Sequence, residues 1–333
     1  MAKIITFERI SWIINANNKF LELDYRVDAN VTGVLCRKLK NDDILIFCNH
    51  NPSISIPHIF AHKLGNTGEI INNPIYFTNS ILNTITLCQS MEQLSNYSIM
   101  CTSMQKDITA HDIVYWNDKD EQINNNTVEI SKIYSIKGIR TNILTGLYNG
   151  IYEPNLSISD IDVTGITVNK RNNTILFSIG NIEAGDEYVQ QGIIMAANIS
   201  YNTSLSISDD IRVVNKYDTK KLFSDNNLEH GELSYITDMC FDNESHTLIL
   251  LTSCGSNSCG YIWTVKWYNS INIYSSIPKL VRSNYDNEIL KFNQTPKGIT
   301  KINKPNTYAI TFKYDEELVF NQHFDHCIIE LNL

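Results

Sequence analysis

The residues of this 333-residue chain that could do chemistry are few and scattered. Asn181-Ile-Glu-Ala-Gly-Asp-Glu187 gathers Glu183, Asp186 and Glu187 just after a strand-like run, and Glu229-His-Gly-Glu232 precedes another. Brought together at one mouth, these carboxylates would offer oxygen ligands to a cation or a surface to a basic partner. A solvated acidic hairpin has the same composition. His323-Phe-Asp325-His326 is the densest set of metal-ligand types, but on a strand 323 and 325 share one face and 326 takes the other. His58-Ile-Phe-Ala-His62 would put two imidazoles one turn apart on a helix, without the glutamate of a zincin. Of the eight cysteines, six lie in apolar runs and read as buried thiols. Cys254 and Cys259 sit in a Gly/Ser/Asn loop that could hold a disulfide or a metal, with no second pair to complete a zinc site. No nucleophile elbow, phosphate-binding loop or dinucleotide glycine fingerprint occurs.

Bulk properties exclude several partners. The net charge is −9 and no run of Lys/Arg exceeds two residues, so neither nucleic acid nor an anionic membrane surface is expected. Glu8 and Arg9 interrupt the start of the chain where a signal peptide needs apolar residues, and no window reaches membrane-span length. The expectation is a cytoplasmic protein, or one exported or packaged without a cleavable signal. The 48 Ile and 40 Asn fit an AT-rich genome such as that of an intracellular bacterium or large virus.

The elements that must position these residues are strands. Asp43–Cys48, Thr174–Ile179, Thr247–Thr252 and Tyr308–Phe312 are short apolar or β-branched runs bounded by Asn, Asp and Gly. Helix is expected only as a turn or two at 55–64 and 89–96. Four copies of a strand, polar turn and second strand begin near residues 31, 163, 236 and 296, with room for two degenerate copies between 50 and 160. Units of this size predict an all-β fold, a β-propeller of six blades, with five or seven as alternatives, forming a single domain over 1–333. Residues 3–14 and 326–333 are strand-like and are expected to pair, closing the ring and removing two sheet edges.

The triplets Thr32-Gly33-Val34, Thr164-Gly165-Ile166 and Lys297-Gly298-Ile299, the Asp238-Met239 pair and Lys137-Gly138-Ile139 resemble the blade openings of six-bladed phytase-like and strictosidine-synthase-like propellers. Thr174–Ala197 resembles a blade of that group. The resemblance implies an acidic residue in each triplet that helps hold a cation in the central channel. Here the matching positions carry Thr32, Thr164 and Lys297, with a carboxylate only at Asp238, too few oxygens for a hard divalent ion. Ser256–Trp263 echoes an Asp-box hairpin with Ser258 in place of the aspartate. The expected function is therefore a non-enzymatic propeller that binds a protein or small polar ligand through its loop face, using Glu183, Asp186, Glu232, Asp238 and Lys297, without a cofactor. The alternative is a phosphatase- or esterase-type hydrolase working at the channel mouth with a divalent cation such as Ca or Mg.

Overall fold

The computed structural model describes residues 1–8, 11–14, 25–28, 31–39, 42–49, 59–65, 69–78, 88–94, 98–103, 113–150, 158–184, 187–201, 204–228, 235–255, 257–267, 277–313 and 324–333. Strand β1 (Ala2–Glu8) opens the chain, followed by a hairpin of β2 (Ser11–Ile14) and β3 (Tyr25–Asp28). Blade one is β4 (Val31–Leu39), β5 (Asp42–Asn49), β6 (Ile59–Leu64) and β7 (Ile70–Thr78). Blade two begins with β8 (Cys88–Gln93), β9 (Ile99–Ser103) and β10 (Ile113–Trp116). The hairpin of β11 (Glu121–Asn124) and β12 (Thr127–Ile130) then returns to blade one, where β12 pairs parallel with β7. A buried Arg37–Glu121 ion pair ties the hairpin there. After it, β13 (Tyr134–Ile136) completes blade two, and α1 (Ile139–Gly150) follows.

Blade three is β14 (Ile158–Asn169), β15 (Thr174–Ala184) and β16 (Glu187–Ser200), with β17 (Ser206–Ile207) and β18 (Arg212–Tyr217) both on β16. Helix α2 (Thr219–Asp225) leads to blade four: β19 (Ile236–Asp242), β20 (Thr247–Cys254) and β21 (Asn257–Lys266), with β22 (Lys279–Leu280) and β23 (Lys291–Phe292) on β21. Blade five is β24 (Pro296–Lys301), β25 (Thr307–Phe312) and β26 (His326–Leu331). It is completed by β1, antiparallel to β26 from Ala2↔Leu331 to Glu8↔His326. The expected pairing of the chain ends closes the ring. Among the described residues, no helix is long and apolar enough to cross a membrane.

The first strand of each blade touches the first strand of the next, in the order β4, β8, β14, β19, β24 and back to β4. That closed circuit makes the fold a β-propeller. Among the described residues it has five blades. Five was one of the expected alternatives to six: the 50–160 stretch completes blade one with β6 and β7, supplies blade two and returns a hairpin to blade one. The 55–64 and 89–96 stretches, expected as short helix, carry β6 and β8. Phe60 of β6 joins the core toward blade five while Ile59 and Ala61 join the core toward blade two, so both faces are apolar and the period of two is hidden. One hydrophobic cluster fills each of the five seams between blades.

Asparagine earns its abundance at the turns. Asn173, His246 and Asn306 stand at positive φ (50°, 52° and 52°) immediately before the second strands of blades three, four and five. This left-handed conformation suits Asn better than most residues.

Candidate active site

The inner strands share a frame finer than the sequence repeat. Each carries a β-bulge at the same place: Val31/Val34, Cys88/Met91, Val163/Gly165, Ile236/Asp238 and Pro296/Gly298. Counting from the residue before the bulge, the third position holds Gly33, Ser90, Gly165, Asp238 and Gly298. Three of the five are glycine because the inner strands nearly touch there. A Cβ on Gly33 would lie 2.9 Å from the Gln89 carbonyl oxygen, and one on Gly298 would lie 2.6 Å from that of Thr32. Asp238 thus occupies the glycine position of the triplet, one place later than the acidic position suggested by the resemblance. Lys137-Gly138-Ile139 opens α1 and no blade.

At this middle level Asp238, with 2% of its surface exposed, ties four blades. It accepts from the Ser90 hydroxyl (2.9 Å) and the Ile299 amide (2.9 Å), while Ser90 Oγ accepts from the Ile166 amide (3.1 Å). Burial drives the Asp238 carboxyl well above the usual carboxylate range, against the pull of those donors. Thr164 in the bulge of β14 donates to the Ile236 carbonyl (2.7 Å), and Lys297 in the bulge of β24 reaches the Tyr235 hydroxyl (3.2 Å). Glu183 lies near the end of β15, its backbone opposite Asp160 and Tyr188, on the side where β14 begins. Asp186 and Glu232 lie outside the described residues, as do His58 and His323. Of the nominated residues in view, Asp238 and Lys297 thus belong to the middle and leading end of the inner strands.

At the fifth position the strands carry Leu35, Glu92, Thr167, Cys240 and Thr300, and a second seam runs through them. In the four blades with a polar side chain here, it takes the backbone amide one step further along the next blade. Thr167 Oγ1 accepts from the Phe241 amide (2.9 Å), and Thr300 Oγ1 from the Cys36 amide (3.2 Å). The Lys301 amide bonds Cys240, and the Val168 amide bonds Glu92. One hydroxyl or thiol suffices for this in three blades. Glu92 brings a whole carboxyl to a place that needs a single acceptor.

Beyond this level the channel opens into a cavity of about 530 Å3 at the turn end, lined from all five blades, including Leu35, Glu92, Lys170, Cys240, Glu244 and Lys301. Glu92 also accepts from the Thr167 hydroxyl (2.7 Å) and the Gln93 amide (3.1 Å). Burial nevertheless pushes its carboxyl above the ordinary glutamate range, outweighing the opposing Lys170 charge and these donors. On the opposite wall Lys301 Nζ bridges Glu244 Oε2 (2.6 Å) and Asp242 Oδ1 (3.1 Å). Asp242 is fully buried; desolvation raises it, but the Tyr308 hydroxyl, the Glu244 and Ser245 amides and Lys301 together hold it below the usual range. Burial raises the thiols of Cys36, to about 12, and Cys240, so neither is a thiolate nucleophile at neutral pH. Among the described residues no three His, Cys, Asp or Glu side chains converge as a metal set.

Two further chemistry-bearing groups are structural. Cys254 and Cys259 are joined as a disulfide (Cα–Cα 5.3 Å) inside the core between blades three and four. His326 is fully buried beside Phe47 in the seam between blades five and one, neither ring nitrogen hydrogen-bonded among the described residues, and His62 also packs edge-on against Phe47. Glu92 escaped the sequence reading because its strand, with Gln89-Ser90-Met91 in place of Thr-Gly-Ile, was not recognised as a blade opening.

No family model and no curated protein matches the sequence. Solved structures of similar arrangement include the PQQ-bound aldose sugar dehydrogenase of Streptomyces coelicolor, 7% identical with TM-score 0.48, covering 99% of this chain and 98% of that one. A gluconolactonase of Xanthomonas campestris is 8% identical with TM-score 0.40, covering 99% and 96%. A GH43 β-xylosidase/α-arabinofuranosidase from a compost metagenome is 10% identical with TM-score 0.45, covering 99% and 94%. At these levels the chain is assigned to none of their families. They are nonetheless enzymes, as is a glycosyl hydrolase of Bacteroides ovatus. The expectation of a non-enzymatic binding propeller is corrected on that finding.

Proposed function

We propose that the chain, as one propeller domain over residues 1–333, is a hydrolase whose active site is the turn-end cavity. The observation that carries this reading is Glu92: a carboxyl raised by burial, placed on the cavity wall where other blades need only Leu, Thr or Cys. Raising the carboxyl favours its protonated form, the form a general acid requires. Glu92 would give its proton to the leaving oxygen of a glycosidic or ester bond. Glu244, ion-paired with Lys301, would accept the proton of the attacking water. Two carboxyls set in contrasting environments divide the acid and base roles in this way. The cavity volume and the Gln93, Asn243 and Asn303 side chains on its wall suit a small polar substrate with several hydroxyl groups.

The test is a screen of 4-nitrophenyl glycosides and 4-nitrophenyl acetate from pH 4 to 9. Turnover should persist above the ordinary glutamate value of 4.5 and fall along an alkaline limb as Glu92 loses its proton. An activity rising steadily with pH would show that no protonated acid is involved and would overturn the assignment.

A further inference from the structure

The second seam holds one group with an orientation that the hydrogen-bond inventory fixes. Thr167 is 1% exposed and its hydroxyl has one proton to give. The Phe241 amide donates into Thr167 Oγ1 from blade four, at 2.9 Å. Thr167 in turn donates to Glu92 Oε2 in blade two, at 2.7 Å. The chain of bonds crosses three blades in one direction, from an amide that can only donate to a carboxyl oxygen that can accept. Thr300 occupies the equivalent place in blade five and takes the Cys36 amide in the same way, and there the fifth position of the preceding blade is Cys240 and not a carboxyl. The seam uses the hydroxyl as an acceptor in both blades. At Thr167 its donor function has a cavity carboxyl to act on.

We propose that Thr167 is a positioning residue for Glu92: oriented by the Phe241 amide, its hydroxyl holds Oε2 at 2.7 Å, and the transferable proton falls to Oε1, where the Gln93 amide at 3.1 Å is the longer contact. The proposal rests on the reading of Glu92 as the acid. Protonation of Oε2 instead would turn the Thr167 hydroxyl away from its acceptor inside a closed seam, at the cost of a buried unpaired donor. The groups that also face Glu92 are Lys170 at the end of β14, Tyr201 after β16, and Asp238 and Cys240 on β19. Of the side chains in this group, Thr167 is the one hydrogen-bonded to the carboxyl.

The experiment follows the Glu92 carboxyl directly, by 13C NMR titration of the full chain labelled at glutamate, with Glu92→Gln identifying the signal. Thr167→Val removes the hydroxyl at constant shape; Thr167→Ala does so without placing a methyl against the Phe241 amide, should the valine variant fold poorly. Either should raise the Glu92 midpoint by about one pH unit, a tenfold change in its ionisation constant, because a donor to the carboxylate is lost. Thr167→Ser should restore the midpoint. The alkaline limb of the pH–rate profile should move with it. A midpoint unmoved in a folded hydroxyl-less variant overturns the proposal. A midpoint that moves while the alkaline limb stays fixed upholds the Thr167–Glu92 link and overturns Glu92 as the acid.

Discussion

The two ends of the channel are built from the same five strands and differ in what their polar groups are used for. In the middle and toward the leading end, polar side chains bind one blade to another: Asp238 holds Ser90 and Ile299, Thr164 holds the Ile236 carbonyl, and Thr311 donates to the Thr32 carbonyl at 3.1 Å. At the turn end the same strands diverge around a cavity, and Glu92 presents a carboxyl beyond what the seam needs. The lesson is that a buried, perturbed carboxyl is not by itself a site. Asp238 and Glu92 are both raised by burial, but it is Glu92 that lines the turn-end cavity, whose wall does not include Asp238.

Removing Asp238 should give the largest loss of stability. Asp238→Ala removes the acceptor of the Ser90 O–H and of the Ile299 amide in the closed middle of the ring, at about 1–3 kcal/mol for each lost bond. We expect a loss of roughly 4 kcal/mol by urea unfolding. A loss below about 1 kcal/mol would mean that the middle of the channel is not the structural end of the comparison.

The closing seam should respond to acid. Burial lowers His62 to about 4, while the Ile71 carbonyl opposes the shift; burial and the charge of His62 lower His326 to about 3. Both stay neutral in the folded state while the unfolded chain takes up protons below pH 6.5, so stability is complete above 6.5 and lost as pH falls toward 4. Each imidazole contributes up to about 1.4 kcal/mol per pH unit, on the order of 3 kcal/mol for the pair between pH 6.5 and 5. Thermal melts across that range should show the decline, and His326→Phe should remove about half of it, leaving the part due to His62. A flat profile in the parent protein would remove these histidines from the account.

A smaller effect is expected where the strands come closest. Gly33→Ala places a methyl 2.9 Å from the Gln89 carbonyl and 3.1 Å from the Ser90 Cα, both backbone atoms that must shift. The cost should be about 2 kcal/mol in chemical denaturation. An unchanged midpoint would show that the ring is looser at its middle than these distances require.

Much of the fold was legible in the sequence because strand and turn leave separate marks. Ile-rich runs became the strands, Asn173 and Asn306 became left-handed turn residues, and the chain ends paired as β1 and β26. The blade number was less legible. The β11–β12 hairpin leaves blade two to pair with β7, and no local pattern announces a return to an earlier sheet. The site was hidden for a related reason. Cys88-Gln89-Ser90-Met91 fills the same bulge as Val163-Thr164-Gly165-Ile166, but with residues that suit a helix equally well, so its frame went unrecognised. With all five frames aligned, Glu92 falls in a column with Leu35, Thr167, Cys240 and Thr300 and stands out as the one acid.

The most direct measurement is hydrolytic activity in two variants, one for each end of the channel. Glu92→Gln keeps the acceptor for the Val168 amide and removes the acid, so activity should fall about 10²–10⁴-fold with the melting temperature nearly unchanged. Lys297→Met, at the leading end beside Tyr235, should leave the rate within about twofold, since it touches none of the cavity groups that move a proton. Full activity in Glu92→Gln, or loss of activity in a folded Lys297→Met, would place the chemistry at the wrong end and contradict the account.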